Sequence, residues 1–261
     1  MSSQTSPSFE HIRRILTQDR IWSAYAIMDL QPAFAPLCHW GVGASEEGEG
    51  VALLFTGLKP HIVVTVGAAE AVRQALGKLP LPEEIFISAR LEHYPALAEW
   101  YDFPEEAYQM QRMKFVDTSK VALPQMSNLR RLGLADSDGL KALYAHGGEF
   151  APTFFDPYQL QDGVYFGIHN DAGELVAAGG THIVDRQEKI AAIGNMYTRA
   201  DQRGNGYAST IFQAVAATLL ADGFADIFLN VDIDNHNAHR IYLRYGFVDY
   251  CRYLEGTGVK R

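Results

Sequence analysis

The chain has 261 residues, room for one large or two ordinary domains, and its 48% hydrophobic and 20% charged content is that of a globular protein with a sizeable core. A net charge of −9, shared by both halves, argues against nucleic-acid binding, which needs a basic face. No apolar run is long enough to span a bilayer, and the two cysteines, Cys38 and Cys251, are too few for a disulfide framework or a cysteine-built metal site.

The start, Met1 to Ser8, is polar and lacks the apolar segment of a secretory signal, so a cytoplasmic protein with no membrane partner is expected. Residues 1–9 read as a disordered tail. Glu10–Thr17 has Ile12, Ile15 and Leu16 at helical spacing. Ile21–Leu30, Ala52–Leu58 and His61–Val66 are rich in β-branched and aromatic residues and are expected as strands, with an exposed hairpin turn at Ser45–Gly50. Then come a helix at Ala69–Leu79, a strand at Glu84–Arg90, a short helix at Tyr94–Tyr101 and a strand at Ala107–Val116.

Asp117–Asn128 is polar and interrupted by Pro124, which places a domain boundary there. Beyond it the pattern predicts a strand at Leu129–Leu134, a helix at Ser137–Tyr144 and a loop or broken helix through Pro157. Strands follow at Val164–His169, Leu175–Val184 and Ile190–Thr198. A long amphipathic helix carries Ala208, Ile211, Phe212, Val215 and Leu219 on one face and stops near Asp222-Gly223. A strand at Ile227–Val231, a short helix at Asn237–Tyr245 and a strand at Val248–Leu254 close the chain. Strands alternating with helices and hairpins give an α/β protein with a mixed sheet, divided into an N-terminal α/β domain (residues 10–120) and a C-terminal domain (residues 127–261).

The turn that opens the long helix, Arg203-Gly204-Asn205-Gly206-Tyr207-Ala208, carries the chemistry. Two glycines one residue apart let the backbone approach a ligand closely. The helix start adds unpaired N–H groups and the positive end of its dipole, and Arg203 adds a full charge. Together these suit a diphosphate. The cluster Asp232, Asp234, His236 and His239 invites a metal reading. It lacks the glycine and glutamate of a calcium loop, and a zinc site would need further ligands, so no metal is expected.

Arg203, Gly206 and Ala208 follow a strand; then, after a helix and a further strand, come Asn235, Ala238, Tyr242, Gly246 and Phe247. In this order and at these spacings the last half of the chain resembles the GNAT superfamily of acyl-CoA-dependent N-acyltransferases. The resemblance implies a GNAT fold with a mixed, mainly antiparallel sheet flanked by helices, and acetyl-CoA (coenzyme A) as co-substrate. It implies that the CoA diphosphate rests on the amides of Arg203, Gly204, Asn205, Gly206, Tyr207 and Ala208. The pantetheine arm would pair like a strand near Met196, Tyr197 and Thr198, where the sheet opens, and Asn235 and Ala238 would lie against CoA. Tyr242 would be the proton donor to the departing thiolate. Its ordinary pKa, about 10, suits a general acid.

For the base, two residues stand out. His182, on a strand near the middle of the sheet, titrates in the right range. Glu149, in Gly147-Gly148-Glu149-Phe150, falls in a loop suited to shaping the acceptor pocket. The expected activity is transfer of an acetyl group to a primary amine by direct attack in a ternary complex. The acceptor is a small amine, or else a protein lysine or N-terminus. The alternative is a non-catalytic acyl-CoA-binding sensor or scaffold.

A short internal echo links the halves. Glu84-Ile85-Phe86-Ile87 matches Asp226-Ile227-Phe228-Leu229, and Tyr101-Asp102-Phe103 matches Tyr245-Gly246-Phe247. Either the matches are chance in apolar strands, or the first half is a degenerate copy of the second. On both accounts Val66-Gly67-Ala68-Ala69-Glu70 carries no anion loop.

Overall fold

The structure, a computed structural model, describes residues 7–104 and 108–261. The chain forms two compact units, Met1–Gln111 with Cys251–Arg261, and Arg112–Tyr250. This division differs from the expected boundary at Asp117–Asn128. It falls earlier, and the last residues return to the first unit because they pair antiparallel with the Glu84–Arg90 strand, Tyr253 opposite Arg90 and Val259 opposite Glu84.

The first unit opens with α1 (Phe9–Leu16), whose N-cap Ser8 accepts a hydrogen bond from the His11 amide at 3.2 Å. Of the expected disordered tail, residues 1–6 lie outside the described residues, and Phe9 is already helical. Residues 24–28 form a second helix, α2 (Ala24–Met28), where a strand was expected. Burial explains the difference. Ser23, Ala26 and Ile27 turn inward together, a helical rather than an alternating set, and Ala24 and Ala26 favour helix.

Strand β1 (Cys38–Ser45) was missed because Gly41 and Gly43 dilute its β signal. Those glycines are there for packing: a Cβ at Gly41 would sit 2.1 Å from the Ala75 carbonyl oxygen, and one at Gly43 only 1.9 Å from that of Ala71. A two-residue turn joins β1 to β2 (Gly48–Phe55), Ser45 facing Gly48. Then follow β3 (His61–Gly67), α3 (Ala69–Leu76), β4 (Glu84–Arg90), α4 (Tyr94–Ala98) and β5 (Tyr101–Asp102). Neighbours β1, β2 and β3 are antiparallel, while β3 and β4 run parallel. Val72, Ala75 and Leu76 of α3 pack on Leu54, Val63, Ile85 and Ile87 of the sheet. Strand β6 (Tyr108–Phe115) crosses the division between the units; Ala107, expected to begin it, lies outside the described residues.

The second unit contains β7 (Leu129–Leu132), α5 (Ser137–Tyr144), α6 (Tyr158–Asp162), β8 (Tyr165–His169), β9 (Leu175–Asp185), β10 (Ile190–Thr198), α7 (Tyr207–Ala221), β11 (Asp226–Asp232), α8 (His236–Arg244) and the start of β12 (Phe247–Lys260). Its strands β7, β8, β9 and β10 are successive antiparallel neighbours, and β10 runs parallel to β11. One apolar cluster joins Ile211, Phe212, Val215 and Leu219 of α7 to Val176, Ala191, Ile227 and Leu229 of the sheet. A second joins Leu140, Leu143 and Tyr144 of α5 to Leu160, Tyr165, Ala178 and Tyr197. Truncating a fully buried ring such as Phe212 would cost about 3–5 kcal/mol, so the helix that begins at the glycine turn is firmly anchored.

Each unit is thus a mainly antiparallel sheet flanked by helices, and the order of parts repeats. Three antiparallel strands, a helix, a parallel strand, a short helix and a strand occur as β1–β5 with α3 and α4, and again as β8–β12 with α7 and α8. The sequence echo falls on matching places, β4 with β11 and β5 with the entry to β12. The copies differ at the turn before the helix: Ala68 alone separates β3 from α3, whereas Arg199–Gly206 separates β10 from α7. Among the described residues no helix is long and apolar enough to cross a membrane.

Candidate active site

The glycine turn has the conformation that its residues allow. Gly204 and Gly206 have φ of +85° and +75°, in the left-handed region that glycine enters without penalty. Gly206 is the N-cap of α7 and carries no capping side chain. The amides of Gly204, Asn205, Gly206, Tyr207 and Ala208 consequently donate to no acceptor among the described residues. A Cβ on either glycine would meet nothing within 4 Å, so the ground above the turn is open. Arg203 is exposed beside it, its Nε donating to the Thr198 carbonyl at 3.3 Å, and Asn205 braces the turn by donating to the Gln202 carbonyl at 3.1 Å. Open, unpaired donors at a helix start next to a guanidinium fit a diphosphate.

Strand β10 supplies the second feature. It pairs with β9 as far as Thr198, opposite Ala177, but with β11 only over Ile190–Ile193, opposite Asp226–Leu229. From Gly194 onward its β11 side has no strand partner among the described residues, so the sheet opens within the strand. Two bulges accompany the opening. His182 is the extra residue of β9 between the Ile183–Ala192 and Thr181–Ile193 pairs, and Asn195 and Met196 of β10 face Gly179 alone. Asn195 takes φ of +53° to make its bulge. Met196 packs at the edge of the α7 core and Tyr197 is buried, its hydroxyl donating to the Gly147 carbonyl at 2.8 Å. The Thr198 hydroxyl is buried without a hydrogen-bond partner among the described residues.

Tyr242 lies on α8 within the same apolar cluster, its ring 5.3 Å from Phe212 and 6.3 Å from Phe247. Burial pushes its phenol up to about 12. Asn235 is the N-cap of α8, its side-chain oxygen accepting from the Ala238 amide at 3.2 Å. This is a structural task for Asn235, and it ties the two residues together. Asp232, Asp234, His236 and His239 surround the same helix start. His239 pairs with Asp249 at 2.7 Å, and among the described residues no group of three or more His, Cys, Asp or Glu is placed to hold a metal ion.

The two base candidates occupy different surroundings. His182 is half-buried, its ring 5.9 Å from that of Phe154, and desolvation lowers it to about 4. That corrects the expectation that it titrates near neutrality: it is uncharged at pH 7. Glu149 is exposed and borders a cavity of about 690 Å³ with Gly147, Tyr197, Arg199, Asp201 and Arg203. It therefore stands beside the basic turn. Neither the Glu149 nor the Tyr242 side chain makes a hydrogen bond or ion pair among the described residues. Sequence reasoning passed over Tyr144, Gln159 and Tyr165, which grip the bulges. The only hint was the Gly194-Asn195 pair, a combination suited to left-handed backbone inside a strand.

Residues 132–247 match the family model described as the acetyltransferase (GNAT) family. A search of curated protein sequences finds no match. Among solved structures the chain is similar to a GNAT-family protein from Novosphingobium aromaticivorans, with TM-score 0.60, 17% identity, and 94% of this chain and 99% of that one covered. It is similar to a GCN5-related N-acetyltransferase from Sphaerobacter thermophilus at TM-score 0.61 and 14% identity, covering 98% and 95%. It also resembles a tandem GNAT protein from the clavulanic acid biosynthesis pathway at TM-score 0.53 and 12% identity, covering 86% and 84%. At such identities the neighbours establish the fold across nearly the whole chain, while the family model reaches the site itself. The match to the GNAT acetyltransferase family thus covers residues 132–247, the stretch that holds the strand opening, the glycine turn and Tyr242.

Proposed function

We propose that the protein transfers an acetyl group from acetyl-CoA to a primary amine by direct attack in a ternary complex. Members of the GNAT family that residues 132–247 match generally use acetyl-CoA, which supplies an acyl group activated on sulfur. The observation that carries the reading is the run of unpaired amides from Gly204 to Ala208, beside Arg203 and next to the strand opening at Gly194. The turn holds the diphosphate, and the free side of Met196–Thr198 offers backbone pairing to the pantetheine arm. Asn235 and Ala238 close the far side.

Tyr242 presents its hydroxyl to the departing sulfur. A phenol at about 12 is a weaker acid than an ordinary thiol at about 8.5, so complete transfer is uphill by ~5 kcal/mol. The hydroxyl accordingly acts first as a hydrogen-bond donor and releases its proton only as charge builds on sulfur. His182, uncharged at pH 7, accepts the amine proton transiently; Glu149 serves from the cavity edge, directly or through water. The acceptor is a small amine, with a protein lysine or N-terminus as the competing choice. The test is release of free thiol from acetyl-CoA against amino acids, polyamines, aminoglycosides and peptides. Turnover with any of them supports transfer. Tight CoA binding with no thiol from the whole panel would leave a sensor or scaffold instead.

A further inference from the structure

The polar side chains packed under the strand opening have no part in the chemistry above, and they converge on its two bulges. The Asn195 side-chain amide donates to the Tyr165 hydroxyl at 2.8 Å and to Gln159 Oε1 at 3.2 Å. The Asn195 carbonyl accepts from the Tyr144 hydroxyl at 2.8 Å. Gln159, only 2% exposed, donates through Nε2 to the His182 carbonyl at 3.0 Å. One buried amide therefore joins the extra residue of β9 to the left-handed residue of β10. Tyr165 closes the ring by donating to Gln159 Oε1 at 3.4 Å.

We propose that Gln159 and Asn195 are positioning residues that lock both bulges and so hold the backbone of Met196–Thr198 facing the strand opening. The inference rests on the acyl-transfer reading for its catalytic consequence and on geometry alone for the lock. A bulge is one residue out of step, and a strand that slips by one residue exchanges which groups face each side. The side-chain bonds to Asn195 hold its φ of +53°, a left-handed conformation that asparagine tolerates better than most residues but that is foreign to a regular strand. The direct bond from Gln159 to the His182 carbonyl stops the opposite bulge from migrating along β9. Without the network the backbone donors beside the opening would sample several orientations, and the acyl carbonyl would lose its preset partners.

Three variants test this. Gln159→Met keeps length and removes both amide functions. Asn195→Gly keeps the left-handed backbone and removes the side chain. Tyr165→Phe removes one hydroxyl and keeps the ring, and it decides the matter if Gln159→Met does not fold. Two readouts are taken: amide hydrogen exchange in the unliganded protein, and kcat and KM for acetyl-CoA at saturating acceptor. The expected result is exchange at Met196–Thr198 at least tenfold faster with the 211–219 stretch of α7 unchanged. The accompanying kinetics are a kcat lowered at least tenfold with KM within about threefold. Uniformly faster exchange with normal kcat per folded molecule means a merely stabilising network and overturns the proposal, as does wild-type behaviour of Asn195→Gly. A wild-type protein that neither binds acyl-CoA nor turns over any amine removes the reading beneath it and the catalytic half of the proposal. The exchange measurement then decides the lock by itself.

Discussion

Tyr242 packs its ring, tilted, 5.3 Å from that of Phe212, yet its hydroxyl finds no hydrogen-bond partner among the described residues. A tyrosine kept only for packing would do as well as phenylalanine there, because an unpartnered hydroxyl contributes nothing to offset its desolvation. Tyr242→Phe should therefore leave the melting temperature unchanged or slightly higher, and acyl-CoA affinity within about twofold. A donor to a developing thiolate is worth about 1.5–3 kcal/mol, so kcat should fall by roughly ten- to a hundredfold. Steady-state kinetics beside calorimetric CoA titration separates the two effects, and an unaltered kcat removes Tyr242 from the chemistry.

His182 makes a prediction about pH. Its folded pKa of about 4 lies below the ordinary 6.5 because burial disfavours the charged ring. The unfolded chain therefore binds its proton first as pH falls. The stability that depends on a neutral His182 is fully present above 6.5 and is lost as pH drops through about 4. His182→Gln, which cannot titrate, should flatten this part of the curve by on the order of 1–3 kcal/mol in urea unfolding. Equal slopes for both proteins would place the acid sensitivity elsewhere. In turnover, the wild-type rate should rise through the neutral range with deprotonation of the acceptor amine, showing no step near 6.5 from His182.

Gly206 separates fold from ligand binding. At φ of +75° a valine would be strained by about 1–2 kcal/mol, but its Cβ would touch nothing within 4 Å. Gly206→Val should fold with a melting point lowered by only a few degrees. The same side chain would stand in the space above the amides and weaken CoA binding at least tenfold. Normal affinity in a titration of the folded variant would move the diphosphate away from this turn.

Much of the second unit was legible because its signals are local. The long helix announces itself through Ile211, Phe212, Val215 and Leu219, and the turn through two glycines whose positive φ the structure confirms. What sequence could not show depended on partners distant along the chain. Strand β1 was not assigned from sequence, because the carbonyls of Ala75 and Ala71 that demand glycine at Gly41 and Gly43 lie far along the chain. Asn195 is held by Gln159, 36 residues earlier, and by Tyr144, 51 residues earlier, so the bulge and its grip leave no short-range pattern. His182 was placed on the correct strand, but its lowered pKa comes from burial that spacing does not report.

The first unit repeats the strand opening of the second and fills it with its own side chains. Strand β3 pairs with β4 only over His61–Val64, opposite Ile85–Ser88, which leaves Thr65–Gly67 open on that side. There the Trp22 indole donates to the Thr65 carbonyl at 2.7 Å, and His93 Nε2 donates to the Gly67 carbonyl at 2.9 Å. The Thr65 hydroxyl bonds His93 Nδ1 at 2.9 Å, and burial lowers the histidine pKa, keeping the ring neutral. The turn is closed as well: a Cβ at Gly67 would lie 2.2 Å from the Glu49 carbonyl oxygen, and the Ala68 amide is spent on that same oxygen at 3.1 Å. Among the described residues, the Thr65 and Gly67 carbonyls and the Ala68 amide, which face the opening and the turn, are thus already bonded. Isothermal titration should accordingly give one CoA per chain, and Arg203→Ala should weaken that single event rather than reveal a second. A stoichiometry of two, or binding that survives Gly206→Val at full strength with one site, would mean that the first unit has kept a site despite the bonds made there by Trp22 and His93.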